Sequence, residues 1–232
     1  MIKAIVTDIE GTTTSISFVS DVLFPYARAR IRDFVKENAG DPAVRRELDA
    51  VAAELGQPDA SLEEIATALE NWIDEDRKIT PLKTLQGMIW QSGYEDGSLK
   101  GHLYPEVSGV LQQWKAQGIA LYVYSSGSVA AQKLLFGFSE AGDLTPLFSG
   151  YFDTRIGGKK DAESYRRIVA ELGLRPGEIL FLSDVAAELN AAAAAGLLTL
   201  GLDRQCICDG FGEHPFVHDF EQIDLQELGE SS

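Results

Sequence analysis

Short apolar runs alternate with helical periodicities along most of the chain. Residues Lys3 to Thr7 form a short run rich in β-branched side chains, which predicts a buried parallel strand. Similar runs predict strands at Ile119 to Tyr124, near Tyr151-Phe152, at Ile179 to Leu182 and at Leu198 to Leu202. Helical spacing predicts helices between them, over residues 107–117, 129–136, 162–172 and 186–195. This alternation predicts an α/β fold with a Rossmann-like parallel sheet and helices on both faces.

A block of purely helical pattern interrupts the α/β alternation after the first strand. Helices are predicted over residues 21–36 and 42–55, a third opens at the capping box Ser61 to Glu64, and a fourth opens at Thr80-Pro81. The sequence therefore predicts two domains. Residues 1–15 and 101–232 form the α/β core, and residues 16–100 form an inserted α-helical cap.

The composition is that of a folded acidic protein. The 232 residues include 20 Lys and Arg against 36 Asp and Glu, for a formal net charge of −16. This charge argues against binding of nucleic acid and of anionic membranes, but it allows a small phosphorylated substrate that needs one metal ion. Cys206 and Cys208 are too close in sequence for a good disulfide and are expected to be reduced. With an N-terminal apolar run too short for a signal peptide, we expect a cytoplasmic protein.

Polar side chains follow four of the predicted strands. Because ligands of open α/β sheets bind at the carboxyl ends of the strands, we expect these side chains to converge on one crevice. In chain order they are Asp8 and Glu10, Ser125 and Ser126, Lys159 and Lys160, and Ser183 and Asp184.

This set of side chains suits phosphoryl transfer to water. Carboxylates at Asp8 and Asp184 are the hard oxygen ligands that Mg²⁺ prefers. Ser125 and Lys159 can bind phosphoryl oxygens, over which the charge of the transition state is spread. One carboxylate can attack phosphorus, while a second protonates the leaving oxygen and later activates water.

Each of these residues also has a plain structural role when it is taken alone. Ser125 and Ser126 could cap a helix that begins at Val129, and Asp184 could cap the helix that begins at Ala186. Lysines in a loop are often solvated surface charges. The phosphatase interpretation therefore depends on the combination of motifs and not on any single residue.

In that combination the chain resembles the haloacid dehalogenase superfamily of aspartate-nucleophile phosphatases. Within this superfamily it is similar to the enolase-phosphatases of methionine salvage, also called acireductone synthases. The resemblance covers nearly the whole chain. It is carried by the runs Asp8-Ile-Glu-Gly-Thr-Thr-Thr14, Ser125-Ser-Gly-Ser128, Ile156-Gly-Gly-Lys159 and Leu182-Ser-Asp184.

The resemblance implies a role for the residues around the reacting phosphorus. Asp8 is the nucleophile and a metal ligand. Glu10 stands where most superfamily members have a second Asp, so it is the expected acid and base, and its backbone carbonyl is an expected metal ligand. Asp184 is the remaining ligand of one Mg²⁺ per chain, and Glu188 supports the metal shell through water.

The resemblance also implies which groups bind the substrate phosphate. They are Gly11, Ser125 and Ser126, together with Lys159, which is also a catalytic residue. Alignment with the Ile-Gly-x-Lys run favours Lys159 over Lys160.

The implied substrate is 2,3-diketo-5-methylthiopentyl 1-phosphate, which is enolised and then hydrolysed to the acireductone 1,2-dihydroxy-3-keto-5-methylthiopentene and phosphate. Glu10 and a residue of the cap both stay open as the enolisation base. The family also suggests a monomer. Two alternatives are a phosphatase of the same superfamily for another small phosphomonoester, and a phospho-acceptor signalling module.

Overall fold

The computed structural model describes residues 1–206 and 210–230, and its centre is a parallel β-sheet. The strands are β1 (Ala4–Thr7), β2 (Ala120–Tyr124), β3 (Phe148–Phe152), β4 (Ile179–Ser183), β5 (Leu198–Leu202) and β6 (Phe216–Val217). Their order across the sheet is β3-β2-β1-β4-β5-β6, and every neighbouring pair is parallel. The strand that precedes Asp8 is therefore central, and the ends of β2 and β4 lie on either side of it.

The helices fall into an inserted group and a group that alternates with the strands. The inserted group is α1 (Ile16–Phe18), α2 (Phe24–Asn38), α3 (Pro42–Glu54), α4 (Leu62–Asp74) and α5 (Thr80–Glu95). The alternating group is α6 (Val107–Ala116), α7 (Val129–Gly137), α8 (Ala162–Leu172), α9 (Ala186–Ala194) and α10 (Leu225–Glu230).

The sheet is covered on both faces, since β1 and β4 are buried at every position. Successive side chains of a strand point to opposite faces, so continuous burial requires cover on both. On one face Val6 and Phe181 pack in a cluster with Tyr165 and Ile168 of α8 and Leu189 of α9. The predicted α/β class with a Rossmann-like parallel sheet is confirmed.

The chain divides into two compact units, one formed by Met1–Ile16 with Gly101–Ser232 and the other by Ser17–Lys100. In the second unit α2 packs against α4 and α5, and α3 packs against α5. Ile31, Leu48 and Leu69 lie in its fully buried core.

The predicted capping box at the start of α4 is confirmed. The Ser61 hydroxyl accepts a hydrogen bond from the Glu64 amide at 3.3 Å, and the Glu64 carboxylate accepts one from the Ser61 amide at 2.8 Å. Two amides that have no partner within the helix are thereby satisfied.

The structure differs from the sequence prediction at two element boundaries and in the C-terminal tail. The helix expected from Asp21 begins at Phe24, after a π-helical turn over Val19–Leu23. Pro25 lies in its first turn, where the absent N–H of proline would have no partner within the helix. The strand expected near Tyr151 begins earlier, at Phe148. The sequence does not reveal this start, because the exposed and half-buried positions of the strand interrupt its apolar run. The unassigned tail adds β6 and α10.

Cys206 is exposed, and Cys208 lies outside the described residues, so the reduced state of the two cysteines stays a prediction. Within residues 1–206 and 210–230, no helix is both long and apolar enough to cross a lipid bilayer.

Candidate active site

Asp8 begins a tight loop at the carboxyl end of β1. Its amide donates to the Leu182 carbonyl of β4 at 2.9 Å, and its side chain is buried. The amides of residues 12–14 all donate to the carbonyl of Ile9, at 2.9 to 3.1 Å. Gly11 adopts a φ of +71°, a left-handed conformation that glycine reaches without a steric cost. The glycine and the short threonines thus allow the loop to close within a few residues of Asp8.

Lys159 lies between two carboxylates in the interior of the site. Its Nζ is 2.6 Å from Asp8 Oδ1 and 2.7 Å from Glu188 Oε2, and its side chain is only 7% exposed. Lys160, the other lysine considered from the sequence, is exposed. The structure therefore brings Lys159 and not Lys160 to Asp8.

The loop that carries Lys159 is fixed by buried tyrosines. The Tyr165 hydroxyl donates to the Lys159 carbonyl at 2.7 Å, and the Tyr124 hydroxyl donates to the Gly157 carbonyl at 2.9 Å. The sequence analysis did not identify these tyrosines, because neither follows a strand end directly and only the fold shows which groups their hydroxyls contact.

Glu188 lies beside Lys159 at the start of α9. Its carboxylate contacts the Lys159 ammonium and accepts a hydrogen bond from the Ser183 hydroxyl at 2.8 Å. Its support of a metal shell through water, which the resemblance implies, stays a prediction. The same Ser183 hydroxyl accepts from the Val185 amide at 3.1 Å. Ser183, which ends β4, thus fixes both Glu188 and the start of α9.

Asp184 lies against the backbone of the Asp8 loop. A Cβ atom on Gly11 would be 2.0 Å from Asp184 Oδ2, closer than any non-bonded contact allows. Gly11 therefore brings the chain after Asp8 directly against the second carboxylate of the site.

We expect Gly11→Ala to lower catalytic activity by about 10²-fold, since a displacement of about 1 Å at a reacting group has this effect. Gly118→Ala is the matched control: its φ is +85°, but nothing lies within 4 Å of the added Cβ. The control should lose roughly 1 kcal/mol of stability from the left-handed alanine and keep its turnover rate. Steady-state kinetics and thermal unfolding of both variants test this expectation, and equal turnover in the two variants would contradict it.

The charges of the site are strongly coupled. Burial, followed by the negative charge of Asp8, raises the pKa of Asp184 to about 7. Burial and Asp8 also raise the pKa of Glu188, against the opposing effect of Lys159. Burial alone would lower the pKa of Lys159, but the charges of Asp8 and Glu188 outweigh it and the pKa is raised. Three carboxylates thus share one ammonium group, which leaves the site short of positive charge.

This deficit makes the site suitable for a cation. Asp8 and Asp184 offer carboxylate oxygens beside a backbone that can supply carbonyl oxygen. Over residues 1–206 and 210–230, no group of three His, Cys, Asp or Glu side chains is arranged around a common point. Two carboxylates together with backbone and water oxygens are a ligand set with which proteins hold Mg²⁺.

The raised pKa of Asp184 has a consequence for metal-free protein. Because the folded state keeps a proton that the unfolded state loses above an ordinary pKa of 3.8, stability from this group falls as the pH rises towards 7. In chelator, we expect the Tm to fall between about pH 4 and pH 7, and to fall less in Asp184→Asn. Glu188 contributes in the same direction, so the variant should keep part of the slope. Identical slopes in both proteins would contradict this prediction.

The remaining predicted residues lie at the neighbouring strand ends. Ser125 is buried, its amide donates to the Phe152 carbonyl at 3.2 Å and its hydroxyl accepts from the Gly127 amide at 3.2 Å. Ser126 and Glu10 are exposed.

The capping roles considered from the sequence are wrong. Ser128, and not Ser125 or Ser126, caps α7 by accepting from the Ala131 amide at 3.2 Å. The N-cap of α9 is Val185, which makes no side-chain hydrogen bond, so Asp184 does not cap that helix. Ser125 and Asp184 are thus not committed to capping and stay available to a ligand.

The haloacid dehalogenase-like hydrolase family matches residues 2–196 of the chain. The chain belongs to this family. The resemblance predicted from the motifs is thereby confirmed, and the match includes every residue of the site described above.

Proteins named enolase-phosphatase E1 are similar to the chain over nearly their full length. The one from Pseudomonas aeruginosa is 59% identical over 223 residues, which is 96% of this chain and 98% of the relative. The one from Serratia proteamaculans is 56% identical over 228 residues, which is 98% of this chain and 99% of the relative. The solved structure of the UTR4 protein from Saccharomyces cerevisiae has a TM-score of 0.82 at 31% identity, covering 96% of this chain and all of that one.

Proposed function

We propose that the chain is a bifunctional enolase-phosphatase, which converts 2,3-diketo-5-methylthiopentyl 1-phosphate to the acireductone and phosphate in methionine salvage. The choice of reaction is supported by the names of its full-length relatives. The observation that carries the phosphatase half is the buried contact of Lys159 Nζ with Asp8 Oδ1 at 2.6 Å. An ammonium group at this distance can bind a phosphoryl oxygen while Asp8 attacks.

In the proposed hydrolysis, a carboxylate oxygen of Asp8 forms a bond to phosphorus as the bond from phosphorus to the enol oxygen breaks. Lys159 and Ser125 bind the phosphoryl oxygens, and Glu10 gives a proton to the leaving oxygen. Water then attacks the aspartyl phosphate, Glu10 takes its proton, and Asp8 is regenerated with release of phosphate.

The proposal includes one Mg²⁺ per chain, held by the carboxylates of Asp8 and Asp184 and by the backbone carbonyl of Glu10. The donor set fits Mg²⁺, since Asp8 and Asp184 offer hard carboxylate oxygens and their mutual repulsion favours a bound cation. When bound, the metal neutralises phosphate charge, so that an anionic carboxylate can approach an anionic phosphate.

The enolisation half requires removal of a proton next to a carbonyl. Glu10 is one candidate base, because it is exposed in the loop that follows β1. The helical unit holds the other candidates, and its role as a cap that excludes water and contacts the methylthio tail stays a prediction. The monomeric state and the cytoplasmic location also stay predictions.

The decisive experiment measures phosphate release from the diketo phosphate, with Mg²⁺ and with chelator, beside a panel of sugar phosphates. We expect metal-dependent release that is confined to the diketo compound, with an enol signal that precedes phosphate. Release from sugar phosphates without this preference would favour a phosphatase for another phosphomonoester. A phospho-adduct that persists for minutes with acetyl phosphate would favour the signalling module.

A further inference from the structure

A buried arginine from the C-terminal part of the chain holds the loop that follows Asp8. The Nη2 and Nε atoms of Arg204 donate to the carbonyl oxygen of Thr12 at 2.7 and 3.1 Å. The Arg204 side chain is only 6% exposed. Because Thr12 directly follows Gly11, this contact is made next to the point where the loop meets Asp184.

The guanidinium group of Arg204 is itself fixed from several directions. Its Nη1 is 2.5 Å from Glu106 Oε1, in a buried ion pair just before α6. The central guanidinium carbon, Arg204 Cζ, lies 4.0 Å from the ring centre of Tyr104 and 5.2 Å from the ring centre of Phe220. A planar group that is stacked and paired in this way can direct two N–H donors at one carbonyl oxygen in a fixed geometry, which a lysine cannot do.

A second contact fixes the next carbonyl of the loop. The amide of Tyr104 donates to the carbonyl of Thr13 at 3.1 Å. The amides of residues 12–14 already point inward to Ile9, so the carbonyls of Thr12 and Thr13 depend on partners from outside the loop. Arg204 supplies one of these partners and orients the ring of the residue that supplies the other.

The C-terminal segment completes this arrangement. The amide of Phe220 donates to Glu106 Oε1 at 3.3 Å, and the Phe220 ring stacks on Trp114 with ring centres 5.4 Å apart. Phe220 thus contacts both members of the buried ion pair. The part of the chain that has no recognisable motif is in this way connected to the loop after Asp8.

We propose that Arg204 is a positioning residue for the reaction at Asp8, acting through the Thr12 carbonyl to hold the loop that contains Glu10 and Gly11. This inference rests on the proposed phosphatase function. Arg204 does not need to touch the substrate for this role. Its loss should therefore lower kcat, while the KM for a substrate bound by other groups changes little.

The test compares Arg204→Met and Arg204→Lys with the exposed control Arg166→Met. Met keeps most of the buried volume but removes the charge and both hydrogen bonds, and Lys keeps only the charge. We expect kcat to fall by roughly 10- to 100-fold in Arg204→Met, as for a displacement of about 1 Å, with KM within about threefold. Arg204→Lys should recover part of this loss, and Arg166→Met should match the parent.

Amide hydrogen exchange provides a readout that is independent of the substrate. In the folded Arg204 variants, exchange should rise in a peptide covering residues 9–15 and stay unchanged in β4. A uniform rise across both peptides would show a general loss of stability and would overturn the positioning role. Unchanged kcat together with unchanged exchange in Arg204→Met would overturn it as well.

The two proposals can fail separately. If the parent does not act on the diketo phosphate, the proposed function fails, whereas turnover of p-nitrophenyl phosphate and exchange at residues 9–15 still measure the effect of Arg204. If the parent acts on the diketo phosphate and the Arg204 variants match it in kcat and in exchange, only the positioning role fails. If Arg204→Met does not fold, kcat, KM and amide exchange are measured on Arg204→Lys instead.

Discussion

Asp8→Asn is expected to lower the rate of phosphate release by at least about 10³-fold, a loss typical of removing a catalytic nucleophile. The amide oxygen of asparagine is a poor nucleophile, so no aspartyl phosphate can form. Asparagine has the size of aspartate, and Lys159 keeps its contact with Glu188 at 2.7 Å. The variant should therefore fold, and the loss should appear in kcat measured by phosphate release.

The same variant separates the two halves of the proposed reaction. Enolisation needs a base and a polarised carbonyl but no attack on phosphorus, so Asp8→Asn should still form the enol phosphate, which then accumulates. Asp8→Glu is a useful companion, since it keeps the charge but displaces the oxygen by one methylene group. Phosphate release from Asp8→Asn at the parent's rate would exclude Asp8 as the nucleophile.

The convergence of groups at the strand ends could be predicted from the sequence for a definite physical reason. In a parallel sheet the carboxyl ends of all strands lie on the same side, so a polar residue directly after an apolar run lies on that side. Asp8, Ser125 and Asp184 follow their strands at once, and the structure puts them at the ends of β1, β2 and β4. Lys159 comes seven residues after the end of β3 in a loop, and only a motif resemblance distinguished it from Lys160.

Contacts that depend on tertiary packing could not be predicted in this way. Glu188 lies in the first turn of α9, but its contacts depend on the rotamers of Lys159 and Ser183. Arg204 lies 192 positions from Thr12, and no periodicity or spacing connects the two. The two-residue strand β6 is recognised only by its pairing with β5. A strand this short has no hydrophobic pattern that a sequence could reveal.

Lys159→Met is expected to lower phosphate release by about 10²- to 10³-fold, the range found when one donor to a developing oxyanion is removed. The variant also leaves the carboxylates of Asp8 and Glu188 without the ammonium group that lies 2.6 and 2.7 Å from them. The pKa of Glu188, already raised by burial and by Asp8, should rise further once the opposing charge of Lys159 is gone. The loss of activity should thus be accompanied by a higher pKa of Glu188 in the folded protein.

Lys160→Met is the matched control, because it removes the same charge one residue away from an exposed position. It should keep the parent's kcat and change the free energy of unfolding by no more than about 0.5 kcal/mol, as for most surface substitutions. Equal losses in the two variants would mean that the general positive charge of the loop matters, and not the buried contact. A loss confined to Lys160→Met would reverse the assignment. A loss confined to Lys159→Met, with a larger fall in kcat than rise in KM, would show that the buried ammonium group stabilises the transition state. A group that merely binds the substrate phosphate would mainly raise KM.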